Sequence, residues 1–128
     1  MALSNLATVL ERKGDDKGAE RLYRRALRLQ PGNAETHRNL GTLLLMKKFD
    51  LEGAERCFQQ ALQLDPACVA AYRNLSCVLF EKGDLEGAER ETRAALRLGD
   101  AGAEAMLKDI QLRRMLKNAL LSGAFPRS

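Results

Sequence analysis

Three asparagines are the residues of this chain best suited to recognition chemistry. Asn5, Asn39 and Asn74 stand 34 and then 35 positions apart. A carboxamide offers one acceptor and two donor hydrogens, so it can hold both the carbonyl and the amide of a passing backbone. Three in a row make a track that grips an extended peptide without reading its side chains. The residue before each is Ser4, Arg38 and Arg73, and three positions beyond lie Thr8, Thr42 and Cys77. On helices, these neighbours share a face with the asparagines. Arg38 and Arg73 add positive charge that favours acidic ligands. The competing reading is structural: each Asn satisfies only the neighbouring helix, although one side chain can serve both ends.

Other chemistry is poorly supplied. His37 is the only histidine and stands at a helix start, where packing is expected rather than catalysis. Gly14-Asp15-Asp16-Lys17 lacks the glycine pattern and the Lys-Ser/Thr pair of a phosphate loop. Cys57, Cys68 and Cys77 have no CxxC spacing and, with one histidine, are too scattered for a structural metal site. The expectation is therefore a non-enzymatic chain with no cofactor and no metal. Tyr and Phe total six and fall mostly at core spacing. Stacking platforms for single-stranded RNA are scarce, and RNA binding is a minor alternative.

The elements that carry the asparagines repeat with them. Each Asn-Leu-small triplet is followed by a second shared block: Gly18-Ala19-Glu20-Arg21, Gly53-Ala54-Glu55-Arg56 and Gly87-Ala88-Glu89-Arg90. Self-similarity at this period means one supersecondary unit stacked on copies of itself, with a long concave surface. Leu3, Leu6, Ala7 and Leu10 put a helix over about 2–13. Gly14 can end it in the left-handed conformation, and Asp15 can cap a partner helix that reaches Leu29, before Pro31. Asn33 and Asp50 should cap helices at about 34–47 and 51–64. Asp65-Pro66 separates these from helices at about 67–82 and 85–98. The second repeat has one residue more than the others, because Leu44 to Ala54 is one position longer than Leu10 to Ala19 or Leu79 to Ala88. The insertion is expected in or beside the Lys47-Lys48-Phe49-Asp50 turn, since loops tolerate extra residues best. Small residues at Ala7, Gly41 and Ser76, and at Ala19, Ala54 and Ala88, let paired helices approach, with Tyr23 and Phe58 filling the space beside them.

Taken together, the period, the paired helices, the Leu-small pair, the central Ala, the aromatic and the terminal Pro resemble the tetratricopeptide repeat over roughly residues 1–100. The departures are Leu3 and His37 at an aromatic position, Thr92 in place of Tyr23 and Phe58, and Asp100 in place of Pro. The resemblance implies an all-α, right-handed solenoid of three repeats, about 1–33, 34–68 and 69–102. A capping helix of about 101–121 completes the domain 1–121, and a loose tail follows at 122–128. It also implies a protein-interaction module whose first helices line a peptide groove. Of the positions that match the family's carboxylate clamp, Ser4, Thr8, Asn39, Ala70 and Asn74, only Asn39 fits, so the full clamp is not expected. Asn5, Asn39 and Asn74 instead match, residue for residue, the asparagine ladder of superhelices similar to that of the O-GlcNAc transferase.

Charge and the chain's ends complete the expectations. The net charge of +4 permits acidic partners. Lys108 and Arg114 on the capping helix are candidates to face the same groove, which would strengthen a preference for an acidic peptide. No apolar run approaches the roughly 18 residues of a membrane span, and no signal peptide is recognised, which leads to an intracellular, cytoplasmic expectation without membrane contact. The first helix has little polar circumference. Met1, Ala2, Leu3, Leu6, Ala7, Val9 and Leu10 predict either a fragment of a longer array or self-association through residues 1–13. A regulatory or homo-oligomerising segment of a larger multidomain protein is the alternative to a free-standing binding module.

Overall fold

In the computed structural model, which describes residues 2–123, the chain forms three antiparallel helix pairs and one further helix. The order is α1 Ala2–Arg12, α2 Asp16–Leu29, α3 Ala34–Leu43 with a π-helical turn Leu44–Lys48, α4 Leu51–Leu64, α5 Val69–Glu81, α6 Leu85–Arg97 and α7 Ala103–Leu121. Each helix packs chiefly on its neighbours in sequence, as in a helical solenoid. Ser122 and Gly123 of the expected tail form a turn. Residues 124–128, like Met1, lie outside the described residues.

Local signals place the boundaries. Gly14 and Gly83 end their helices at φ +87° and +85°, a region that glycine enters freely. Asp15, Asp50 and Asp84 then cap α2, α4 and α6 by accepting from the N–H of Gly18, Gly53 and Gly87 at 2.9–3.0 Å. The glycines are part of the cap. A Cβ at any of the three would lie 2.3–2.4 Å from a capping carboxylate oxygen. Asn33 caps α3 through the Thr36 N–H at 3.1 Å.

The extra residue of the second repeat is absorbed differently from the sequence expectation. The residues forming the expected end of the third helix, about 34–47, widen into the π turn, so the insertion lies within the helix rather than in a loop. The closing hydrogen bonds measure it. The Asp15 N–H bonds the carbonyl of Leu10, and the Asp84 N–H bonds that of Leu79. The Asp50 N–H reaches back one residue further, to Leu44, at 2.8 Å. Phe49 then stands at φ +52°, where the other two turns have glycine.

The core runs along the stack through Ala19, Tyr23, Leu40, Leu43, Ala54, Phe58, Leu75, Val78, Ala88 and Ile110. The small and large partners match pair by pair. A Cβ on Gly41 would meet the Phe58 ring at 2.9 Å, which explains glycine there. In the third repeat Ser76 stands in the small position and Thr92 replaces the aromatic. Their hydroxyls lie within hydrogen-bond distance of one another and of the Ala88 carbonyl, and their two protons are distributed over these three contacts. That satisfies two buried polar groups in place of a ring.

The capping helix departs from expectation. Asp100 does more than replace Pro: one oxygen accepts from the Gly102 N–H at 3.1 Å and the other from Arg73 Nε at 3.0 Å. The helix starts at Ala103, later than the expected 101. Only Ala103 and Ile110 of α7 are fully buried. Of the apolar residues of α7, Leu112, Met115, Leu116 and Leu120 are exposed. The end of the stack is therefore less closed than an amphipathic cap would make it. Part of this exposed strip, Leu116, Leu120 and Leu121, walls an apolar cleft with Phe80, over whose ring the Arg113 guanidinium sits at 5.0 Å.

Candidate functional site

A cleft of about 530 Å³ lies between α1 and α3, with Tyr23 of α2 in its lining. It brings together Asn5, Thr8, Arg38, Asn39 and Thr42, half of the residues expected at the site. Asn74 continues the row, because its Nδ2 donates to Thr42 Oγ1 at 3.4 Å. The same element positions each set: the first helix of a pair, one period further along, with its Asn two residues before the small packing residue Ala7, Gly41 or Ser76.

The hydroxyls of this face are already engaged. Thr8 Oγ1 donates to the carbonyl of Ser4 at 3.1 Å and lies 3.2 Å from Tyr23 Oη, which donates to Glu11 Oε1 at 2.9 Å. Thr42 Oγ1 donates to the carbonyl of Arg38 at 3.0 Å. Ser4 Oγ pairs with Thr36 Oγ1 at 2.8 Å, tying α1 to α3. Burial, followed by the Glu11 carboxylate, raises the Tyr23 pKa despite the Thr8 hydrogen bond, so the phenol stays protonated as a donor. The carboxamides are divided. Asn74 makes an interhelical bond of the structural kind. Among the described residues, the Asn5 and Asn39 side chains have no hydrogen-bond partner.

The remaining expected residues are placed elsewhere or neutralised. Arg73 is exposed and ion-paired with Asp100 at 3.0 Å. Cys77 is half-buried against the core, and burial raises its thiol pKa, so it is a neutral packing group at physiological pH. Arg114, expected to reach the groove, lies against α6, bonded to Glu89 and 3.5 Å from Glu86. Lys108 is exposed and does not line the cleft. The reason for both corrections is register. In α7 the buried set Ala103, Leu107 and Ile110 repeats Ala71, Leu75 and Val78 of α5, with Leu107 only half-buried. That offset is 32 positions, not 34 or 35. It aligns Lys108 with Ser76, on the side of the helix that packs against its hairpin partner, and Arg114 with Lys82.

Sequence reasoning missed Val9, Glu11, Arg12, Tyr23 and Glu35, which also line the cleft. Helical spacing contained the signal: Glu11 and Arg12 follow Thr8 by three and four positions, and Glu35 precedes Asn39 by four. With two carboxylates and two guanidiniums, the cleft is mixed in charge rather than simply basic.

It also missed a second regular feature. Lys48 reaches Glu20 at 3.2 Å, Lys82 reaches Glu55 and Glu52 at 2.9 and 3.0 Å, and Arg114 reaches Glu89 and Glu86. Each cation bridges from the end of the first helix of a pair, or from α7, to the glutamate of the Gly-Ala-Glu block one helix earlier. Burial pushes the Glu20 carboxyl up, but hydrogen bonds from Arg24 and Lys48 outweigh this and hold it below the usual value. Arg93 and Arg114 hold Glu89 down, and Glu55 with Glu52 holds Lys82 up.

The comparisons with known proteins agree with this architecture. The sequence model described as the cilia and flagella-associated protein 70 middle TPR-like domain matches residues 3–125. No curated protein sequence matches. Among solved structures, the first TPR of Spaghetti (RPAP3) bound to the HSP90 peptide SRMEEVD is similar at a TM-score of 0.84 and 19% identity, over 89% of this chain and 91% of that one. The Yersinia enterocolitica secretion chaperone SycD, in complex with a peptide of the translocator YopD, gives 0.82 and 18%, over 88% and 92%. The Sgt2 TPR domain from Aspergillus fumigatus gives 0.82 and 20%, over 99% and 84%. At these identities, the likeness establishes the tetratricopeptide solenoid fold.

Proposed function

This chain belongs to the family of the cilia and flagella-associated protein 70 middle TPR-like domain, and we propose that it is a non-enzymatic interaction module that holds an extended segment of a partner protein along α1, α3 and α5. The observation that carries the reading is the α1–α3 cleft, where Asn5 and Asn39 keep their carboxamides unpaired beside Arg38. Each unpaired carboxamide can take a peptide N–H and C=O, as a ladder requires. Asn74 fits a ladder less freely, because part of its donor capacity goes to Thr42. Similar folds that hold peptides, in RPAP3 and SycD, support the class of ligand. They do not supply its sequence.

The preference for acidic ligands rests on Arg38 and Arg12, because Asp100 neutralises Arg73 and Glu89 occupies Arg114. Glu11 and Glu35 stand in the same cleft, so an acidic residue of the ligand belongs beside Arg38 and a neutral or basic one beside Glu35. A peptide array of extended sequences, read with the wild type and with the Asn5→Ala/Asn39→Ala variant, tests the reading. The variant should keep its helical circular dichroism and lose the wild-type spots, at about 1–3 kcal/mol for each hydrogen bond left unmade. Retention of the same spots would move the binding surface away from the asparagines.

A further inference from the structure

The outer face of α1 is an unoccupied copy of the surface by which the repeats join. In α3, the residues Thr36, Leu40 and Leu43 are buried at 1%, 1% and 0% exposure, and in α5 Ala71, Leu75 and Val78 at 0%, 4% and 0%. Each set lies at positions i, i+4 and i+7, and the helix that precedes it, α2 or α4, packs on the helix that carries it. The equivalents in α1 are Ala2, Leu6 and Val9. Ala2 is exposed, and Leu6 and Val9 are exposed by 48% and 42%. The ion pair that accompanies each junction is also half present. Lys13 stands three residues after Leu10 and just before Gly14, as Lys82 stands after Leu79 and before Gly83. Lys82 takes Glu55 of the preceding helix, and Lys48 takes Glu20. Among the described residues, Lys13 has no carboxylate at ion-pair distance.

We infer that the Leu6–Val9–Lys13 face docks one amphipathic helix of a partner. That helix presents an apolar face and a glutamate placed to meet Lys13, as Glu20 of α2, Glu55 of α4 and Glu89 of α6 meet Lys48, Lys82 and Arg114. A second copy of this chain cannot supply it, because those three helices already have their forward faces covered by α3, α5 and α7. The exposed strip of α7 is the wrong chemistry. It is flanked by Lys108, Arg113 and Lys117, which carry the same charge as Lys13. The face meets the cleft that holds Asn39 at Val9, while Leu6 and Lys13 lie outside that lining, so a ligand there and a helix here are neighbours.

The chain's own α4 provides a probe of the required chemistry. A peptide of residues 50–65, stapled across the exposed positions 59 and 63 to lock the helix, is titrated into the isotope-labelled protein and followed by amide chemical shifts. The expected shifts centre on Leu6, Val9 and Lys13. Leu6→Glu, at a half-exposed site that leaves the fold intact by circular dichroism, should abolish them. Reversing the peptide's charge with Glu55→Lys should weaken binding by about 2- to 5-fold, and Lys13→Glu in the protein should restore it. Absence of shifts at millimolar peptide, shifts centred on Asn39 or α7, or binding indifferent to Leu6→Glu would overturn the inference. So would sedimentation that shows a dimer lost on Leu6→Glu, because that assigns the face to a second copy.

Discussion

One substitution made at three equivalent positions separates a packed junction from an open one. Leu6, Leu40 and Leu75 occupy the same place in successive repeats, yet only the last two have a helix in front of them. Leu40→Ala and Leu75→Ala each remove three carbons from an enclosed site. They should cost about 3–4 kcal/mol, the transfer free energy of the lost groups plus the cavity left behind. Leu6→Ala removes the same carbons at about 0.8 kcal/mol each, but about half of that surface is already wet and no enclosed cavity forms. Its cost should be about 1 kcal/mol. Urea unfolding followed by far-UV circular dichroism measures all three, and the slope should be checked for each variant, because a stack of repeats can fray from one end. Leu6→Ala as costly as Leu40→Ala would refute the reasoning, since it would mean that the α1 face is covered in solution. A cost near 1 kcal/mol at all three sites would instead mean that the repeat junctions are not tightly packed.

Two further outcomes follow from the same structure. Gly41→Ala gains about 1 kcal/mol of helix propensity but drives a methyl against the Phe58 ring and Cys57 Cβ, at 2.9–3.0 Å. Overpacking costs about 1–3 kcal/mol, so thermal unfolding should occur at a lower temperature, and Phe58→Leu in the same chain should recover part of the loss. Glu20 and Glu89 are depressed in the folded state, so their stabilisation is fully present above their ordinary value of 4.5 and is lost as pH falls through the folded values. The urea midpoint should therefore drop below pH 4.5, and Glu20→Gln with Glu89→Gln should flatten that drop. Lys82 is raised and has the opposite sign, with its stabilisation lost as pH rises beyond 10.5.

Much of the fold was legible because its signals are local. Gly14 and Gly83 as left-handed stops, Asp15, Asp50 and Asp84 as caps, and the Leu-small pairs all act within one or two turns, where sequence spacing and spatial spacing coincide. The π turn was not legible. An inserted residue can be absorbed by a loop or by a widened helix, and the choice depends on the Asp50-to-Leu44 closure, in which Phe49 accepts a positive φ. Of the candidate site, the α1 and α3 residues came together because a constant period carries each side chain onto the same face. The engagement of Asn74 by Thr42, and of Arg73 by Asp100, depends on the distance between neighbouring helices, which no spacing along one helix reveals.

The glutamates show where a repeat can be read but not interpreted. Gly-Ala-Glu recurs three times, and the alanine has an evident steric task within its own hairpin. The glutamate's partner is 28 positions away for Glu20, 27 for Glu55 and 25 for Glu89. The shrinking separation hides the pairing from any search at a fixed period. It shrinks because the π insertion lies between Glu20 and Lys48, while the Gly99–Gly102 connection that replaces Pro brings α7 in two positions early. A period of 34 continued from Asn74 would put Lys108 on a fourth position of the asparagine row. The ion pair of Arg114 with Glu89 fixes the true register, and with it the conclusion that the row ends at α5. The same pairing gives Lys13 its meaning: a cation in register with Lys82 on the exposed face of α1, the charge that the inferred partner helix is required to match.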